Sequence, residues 1–143
     1  MKYVVLVSHG TFAPGLHNTL GMLAGSERKD ILDTSLLDGM SINTFEKNFI
    51  ELIKDIAIND NIVLLADIIG GSPMTTALKV LENKGLLKNT MAFGGMNLSM
   101  GLTAALEDDT DINSLKNLII SEAQESVAEF KFENLNEDED EEI

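Results

Sequence analysis

Cysteine is absent from this 143-residue chain, and arginine occurs once, at Arg28. Without cysteine there is no disulfide framework, no thiolate zinc site and no cysteine nucleophile, which agrees with a reducing compartment. No run approaches the roughly 18 to 20 consecutive apolar residues that span a bilayer, and Met1-Lys2 leads straight into a short apolar run with no cleavage-site pattern. A cytoplasmic location with no direct membrane insertion is the expectation. Only two histidines, His9 and His17, are present, and no carboxylates at metal-ligand spacing accompany His9, so no metal is expected. A Gly-x4-Gly-Lys-[Ser/Thr] loop is also missing. Gly70-Gly71-Ser72-Pro73-Met74 lacks the final glycine of a hydrolase nucleophile elbow, so ATP and ester hydrolysis lose support.

Positive charge is scarce as well. The formal net charge is −14, and Glu133 to Ile143 hold seven acids and no base, which leaves 17 acids against 10 bases over residues 1–132. The body is therefore acidic by itself. Such a surface repels nucleic acid and anionic lipid and steers a basic protein partner toward it.

At this length and 44% hydrophobic content, residues 1–132 are read as one domain, followed by an acidic, disordered tail over 133–143. Tyr3-Val4-Val5-Leu6-Val7 is a β-branched run suited to a central parallel strand, and it ends at Ser8-His9-Gly10. A helix with Leu16, Leu20 and Leu23 follows, with Pro14 in its first turn and Gly25 as its stop. A second strand is expected over Ile31–Leu37. Next comes a helix with the stripe Phe45, Phe49, Leu52, Ile53 and Ile56, capped by Asn43 with Glu46. Ile62 to Ala66 form the third strand, running into Asp67-Ile68-Ile69-Gly70-Gly71-Ser72-Pro73. There Ser72 reads as a helix N-cap and Gly85 as the helix end. Thr90–Phe93 is a fourth strand, followed by Gly94-Gly95-Met96-Asn97, a helix to about Leu106, another over about Ile112–Ser126, and a last strand over Val127–Phe132.

Alternating strands and helices define an α/β domain: a doubly wound, mainly parallel sheet with helices on both faces. The expected order is 2-1-3-4, which sets strands 1 and 3 side by side at a topological switch point, where ligands bind. The loops carrying His9 and Asp67 should face each other there. Taken alone, a histidine after a strand reads as one that simply hydrogen-bonds a nearby carbonyl. Gly10 beside it and Asp67 across the switch point point instead to a nucleophile and its orienting carboxylate. Gly70-Gly71-Ser72-Pro73 offers backbone amides, a hydroxyl and a helix N-terminus, which suit a phosphate; a plain tight turn is the alternative. Gly94-Gly95-Met96-Asn97 would add amides and the Asn97 side chain, or be only a glycine-rich loop. His17 is expected to face solvent.

Ser8-His9-Gly10, Phe12-Ala13-x-Gly15, Asp67-x-x-Gly-Gly71-Ser72-Pro73 and Gly95-Met96-Asn97-Leu98 together resemble the EIIA components of the mannose/fructose/sorbose family of bacterial phosphotransferase sugar-uptake systems. The resemblance runs from Met1 to about Phe132. It implies that His9 accepts a phosphoryl group from the carrier protein HPr and passes it to a histidine of a IIB component. Asp67 would orient the ring for phosphorylation on Nε2, and Gly10, Gly70, Gly71, Ser72 and Asn97 would surround the phosphoryl oxygens. No cofactor is implied. A homodimer exchanging its C-terminal strand is implied, and Val127–Phe132 fits that strand. With no IIB module after the domain, the acceptor is expected to be a separate polypeptide. Where the family usually continues Asn-Leu-Pro-Met, this chain has Asn97-Leu98-Ser99-Met100.

Three rivals compete. A related domain that relays phosphate to dihydroxyacetone kinase generally has serine after its histidine and lacks the Gly-Gly-Ser-Pro turn. Phosphohistidine phosphatases and mutases surround phosphate with arginines, one of them just before the nucleophile, where this chain has Ser8. A metal-binding, chelatase-like module would use His9 as a ligand, or a plain binding domain would involve no covalent step.

Overall fold

A computed structural model describes residues 1–108 and 111–134; most of the expected acidic tail lies outside the described residues. The chain alternates strand and helix: β1 (Lys2–His9), α1 (Phe12–Ala24), β2 (Ile31–Leu36), α2 (Ile42–Leu52), β3 (Asn61–Ala66), α3 (Ser72–Asn83), β4 (Thr90–Phe93), α4 (Leu98–Leu106) and α5 (Ile112–Glu125). The four strands form one parallel sheet in the order β2-β1-β3-β4, as the sequence predicts.

The unbroken apolar runs of β1 and β3 follow from burial on both faces of the sheet. Because side chains alternate along a strand, Val4 and Leu6 with Val63 and Leu65 face one layer, and Val5 and Val7 with Ile62, Leu64 and Ala66 face the other. The first layer is made by α1, α4 and α5, which contribute Leu16, Leu20, Met100, Ala104, Leu115 and Ile119. The second is made by α2 and α3, through Phe45, Phe49, Met74, Ala77, Val80 and Leu81. Leu115, Ile119 and Ala123 recur every four residues, which is why α5 lies against the sheet along one stripe.

Three local expectations shift. The α2 cap is Ser41, whose Oγ accepts from the Thr44 amide at 3.1 Å; Asn43 lies inside the helix, because Ser41 already has the extended backbone a cap requires. That helix ends at Leu52, although Ile53 and Ile56 remain buried in the same core from the turns that follow. The expected strand over Val127–Phe132 does not form within the single chain. Val127 to Lys131 are irregular, Phe132–Asn134 make a 3-10 turn, and among the described residues β4 pairs with β3 alone. A strand needs a neighbour to satisfy its amides and carbonyls, and within one chain the described residues supply none there.

At the end of the sheet where β2 begins, Arg28 holds Asp30 through two hydrogen bonds of 3.0 and 2.7 Å and donates to the Ala105 carbonyl at 2.7 Å. Lys2 donates to the carbonyls of Ala104, at 2.6 Å, and Glu107. These cations occupy the last carbonyls of α4, where the helix dipole is negative. His9 closes the opposite end of β1.

Phe45 and Phe49 stack with ring centroids 6.4 Å apart and are fully buried. Phe49→Ala should therefore lower unfolding stability by about 3–5 kcal/mol, read from chemical denaturation. A loss below about 1 kcal/mol would show that the α2 layer repacks around the gap.

Candidate phosphoryl-acceptor site

With Val7 paired to Ala66, β1 and β3 deliver their next residues side by side at the carboxyl edge of the sheet. There Asp67 Oδ2 accepts from the backbone amide of His9 at 2.9 Å and lies 2.9 Å from His9 Nδ1. Asp67 Oδ1 accepts from the Ile68 amide at 2.9 Å. Burial raises the Asp67 pKa, but the amide and ring of His9 and the amide of Ile68 outweigh it, so the carboxyl is held below its ordinary value. An ionised carboxylate can only accept. Nδ1 therefore donates to it, and in the neutral ring Nε2 keeps its lone pair. The Asp67 side chain is 10% exposed and the His9 ring 45% exposed, so a fixed carboxylate supports a ring open to an approaching molecule.

Ser8 is a site residue that the motif reading did not single out for structure. It is fully buried, and its Oγ accepts from the Ala13 amide at 2.7 Å. Thr11 at the start of α1 makes no side-chain cap, so Ser8 supplies the acceptor from within the strand and ties the His9 turn to the helix after it. Gly10 donates its amide to the Leu36 carbonyl at 2.9 Å, which fixes the turn against β2 as well.

The loop from Asp67 leads into α3. Gly70 donates its amide to Met74 Sδ at 3.3 Å. Gly71 lies so close to the histidine that an added Cβ would stand 3.3 Å from His9 Cε1. Gly71, not Ser72, is the α3 cap residue, and it provides no side-chain bond; Ser72 is the first helical residue. Its exposed hydroxyl is thus not used for capping. The first-turn amides of α3 have no intrahelical acceptors and carry the positive end of the helix dipole.

Asn97 is placed differently from the other candidates. Its Oδ1 caps α4 by accepting from the Met100 amide at 2.9 Å, and its Nδ2 donates to Ala123 O at 3.0 Å and Ser126 Oγ at 3.3 Å. Its side chain ties α4 to the end of α5. With Ser99 rather than proline following Leu98, the helix still starts at Leu98, and the Ser99 carbonyl accepts from the Thr103 hydroxyl. His17 does not simply face solvent. It is half-buried on α1, with Nδ1 hydrogen-bonded to Asp33 on β2, a long-range pairing that helical spacing could not reveal. Among the described residues no group of three histidine, aspartate or glutamate side chains gathers at metal-binding distance, and no helix is long and apolar enough to cross a membrane.

A doubly wound α/β domain, with helices on both faces of its sheet and a carboxylate-held histidine at its switch point, is the class that the fold and site define. Residues 3–129 match the EIIA-man family model, described as PTS system fructose IIA component, and the chain belongs to that family of sugar phosphotransferase system components. It is 27% identical over 127 residues to the PTS system fructose-specific EIIA component of Bacillus subtilis (strain 168), covering 88% of this chain and 84% of that protein. The crystal structure of phosphotransferase system component EIIA from Streptococcus agalactiae matches with a TM-score of 0.76 at 25% identity, over 91% of this chain and 98% of that one. The mannose/sorbose specific IIA subunit of the phosphotransferase system from Enterococcus faecalis shares the fold, with a TM-score of 0.78 at 22% identity over 92% and 97% of the two chains.

Two predictions follow from this geometry. Ser8→Ala leaves the Ala13 amide buried without an acceptor and should cost about 1–2 kcal/mol in denaturant unfolding; an unchanged midpoint would mean that water replaces the hydroxyl. Because the Asp67 pKa is lowered on folding, its stabilisation is fully present above the unfolded value of about 3.9 and is lost as pH falls through the lower native value. Wild type should therefore lose more stability between pH 5 and pH 2, taken as about the range of carboxylate protonation, than Asp67→Asn does. Parallel pH profiles for the two proteins would contradict that assignment.

Proposed function

We propose that the chain is a phosphocarrier in which His9 accepts a phosphoryl group from phospho-HPr and transfers it to a histidine of a separate IIB protein during sugar uptake, in the cytoplasm. The observation that carries this reading is the Asp67–His9 pair, which engages Nδ1 and leaves Nε2 as the other nitrogen of a half-exposed ring that lies against Gly71 at the start of α3.

In the forward step the Nε2 lone pair attacks the phosphorus of the donor phosphohistidine. The new Nε2–P bond forms as the donor N–P bond breaks, and the Nδ1 proton stays on its nitrogen, facing Asp67. Phosphoryl transfer spreads charge over three equatorial oxygens, so catalysis is largely positioning and charge stabilisation. The Ser72 amide and hydroxyl at the start of α3 are the groups suited to those oxygens; the Gly10, Gly70 and Gly71 amides already donate within the domain, so these glycines offer close backbone approach instead, and the Asn97 side chain is held by α4 and α5. A transferable group needs moderate stabilisation, and an acidic chain whose sole arginine is bound to Asp30 and the α4 end fits a carrier better than a phosphatase. Exposed Phe12, Ile68 and Ile69 flank the histidine and suit protein partners. Apolar, exposed Val127, Phe130 and Phe132 suit pairing with a second copy, as a strand added to the open edge of its β4 in a homodimer.

Incubated with phosphoenolpyruvate, enzyme I and HPr, the wild-type chain should acquire an acid-labile phosphate that is absent from His9→Ala. An unlabelled wild type would end the proposal. Asp67→Ala should stay folded yet transfer about 100-fold more slowly, since ring angle and tautomer are released. Equal rates would remove Asp67 from the mechanism.

A further inference from the structure

We propose that Gly94 and Gly95, the turn that follows β4, are positioning residues for His9: they set the height of the 67–71 loop on which its ring rests. The proposal builds on His9 as phosphoryl acceptor.

An added Cβ at Gly94 would lie 2.4 Å from Ile69 Cβ, 2.5 Å from Ile69 Cα and 2.6 Å from Ile69 N. Two of those three atoms are backbone, so no rotamer change relieves the overlap, and the 68–70 backbone itself must move. Hydrogen bonds hold the same contact: Gly95 donates its amide to Asp67 O at 3.2 Å, and Met96 donates to Ala66 O at 2.9 Å. The β4 turn thus grips the loop from its start at Asp67 to its middle at Ile69.

That loop carries both constraints on the ring. Asp67 at its start holds Nδ1, and Gly71 at its end lies against Cε1. Raising Ile69 displaces the carboxylate on one side and the steric floor on the other. Core burial does not account for the close approach, because the Ile69 side chain is 76% exposed and nothing large is covered by drawing its backbone down. What the approach does fix is the position of the two groups that orient His9.

The test compares His9 ring 1H–15N signals in the unphosphorylated full chain with transfer rates from phospho-HPr. Gly94→Ala should shift the ring nitrogen and Nδ1 proton signals and slow transfer by about 10- to 100-fold, the scale expected for a displacement near 1 Å. Gly95→Ala, with open space around it but φ at +71°, should shift the same signals less. Ile69→Ala removes only an exposed side chain and should leave the ring signals as in wild type. Ring signals unchanged in both glycine variants overturn the proposal, even if transfer falls, since the loss would then lie elsewhere. Should Gly94→Ala fail to fold, Gly95→Ala decides alone: shifted signals support the proposal, and unchanged signals overturn it. A wild type that accepts no phosphoryl group ends the carrier function, yet the ring signals still show whether the turn positions His9.

Discussion

One carboxylate organises the carboxyl edge of this sheet. Asp67 takes the backbone amide and the ring nitrogen of His9 on one oxygen and the Ile68 amide on the other. Through the two bonds to His9 it joins the ends of β1 and β3, and through the third it turns its own loop toward α3. Three N–H donors hold the carboxyl below its ordinary value against the opposing effect of burial. A neutral carboxyl could offer its proton to Nδ1 and reverse the direction of the ring hydrogen bond. The ionised state makes Nε2 the open nitrogen.

Much of this was legible beforehand because the signals were redundant. Continuous apolar runs at Val4–Val7 and Ile62–Ala66 suit strands of a sheet covered on both faces, and right-handed crossovers then leave few strand orders. Once β1 and β3 are neighbours, His9 and Asp67 meet for geometric reasons. Motif and topology arrived at the same pair by separate routes.

The parts that escaped share a cause: they depend on contacts between residues distant in sequence or on small shifts in helix starts. The partner of His17, Asp33, lies on another element. Ser8 caps a helix that starts four residues later, so it matches no local cap pattern. Gly94 reads as loop composition until the backbone of Ile69 is seen lying on it. Asn43 and Ser41 are both good caps by residue type, and only backbone conformation separates them. Val127 to Phe132 have strand composition but no strand neighbour among the described residues, and pairing is a property of the pair.

The shift of the α3 cap from Ser72 to Gly71 separates two tasks that one serine commonly combines. A serine that both starts a helix and binds an anion can be altered only by weakening both. Here the helix start rests on backbone geometry at Gly71 and on Pro73, while the Ser72 hydroxyl stands exposed and uncommitted to the helix. Under the anion-binding role proposed for Ser72, position 72 is a place where a lineage can retune anion affinity without loosening the domain, and variation there would record selection on the site rather than on the fold.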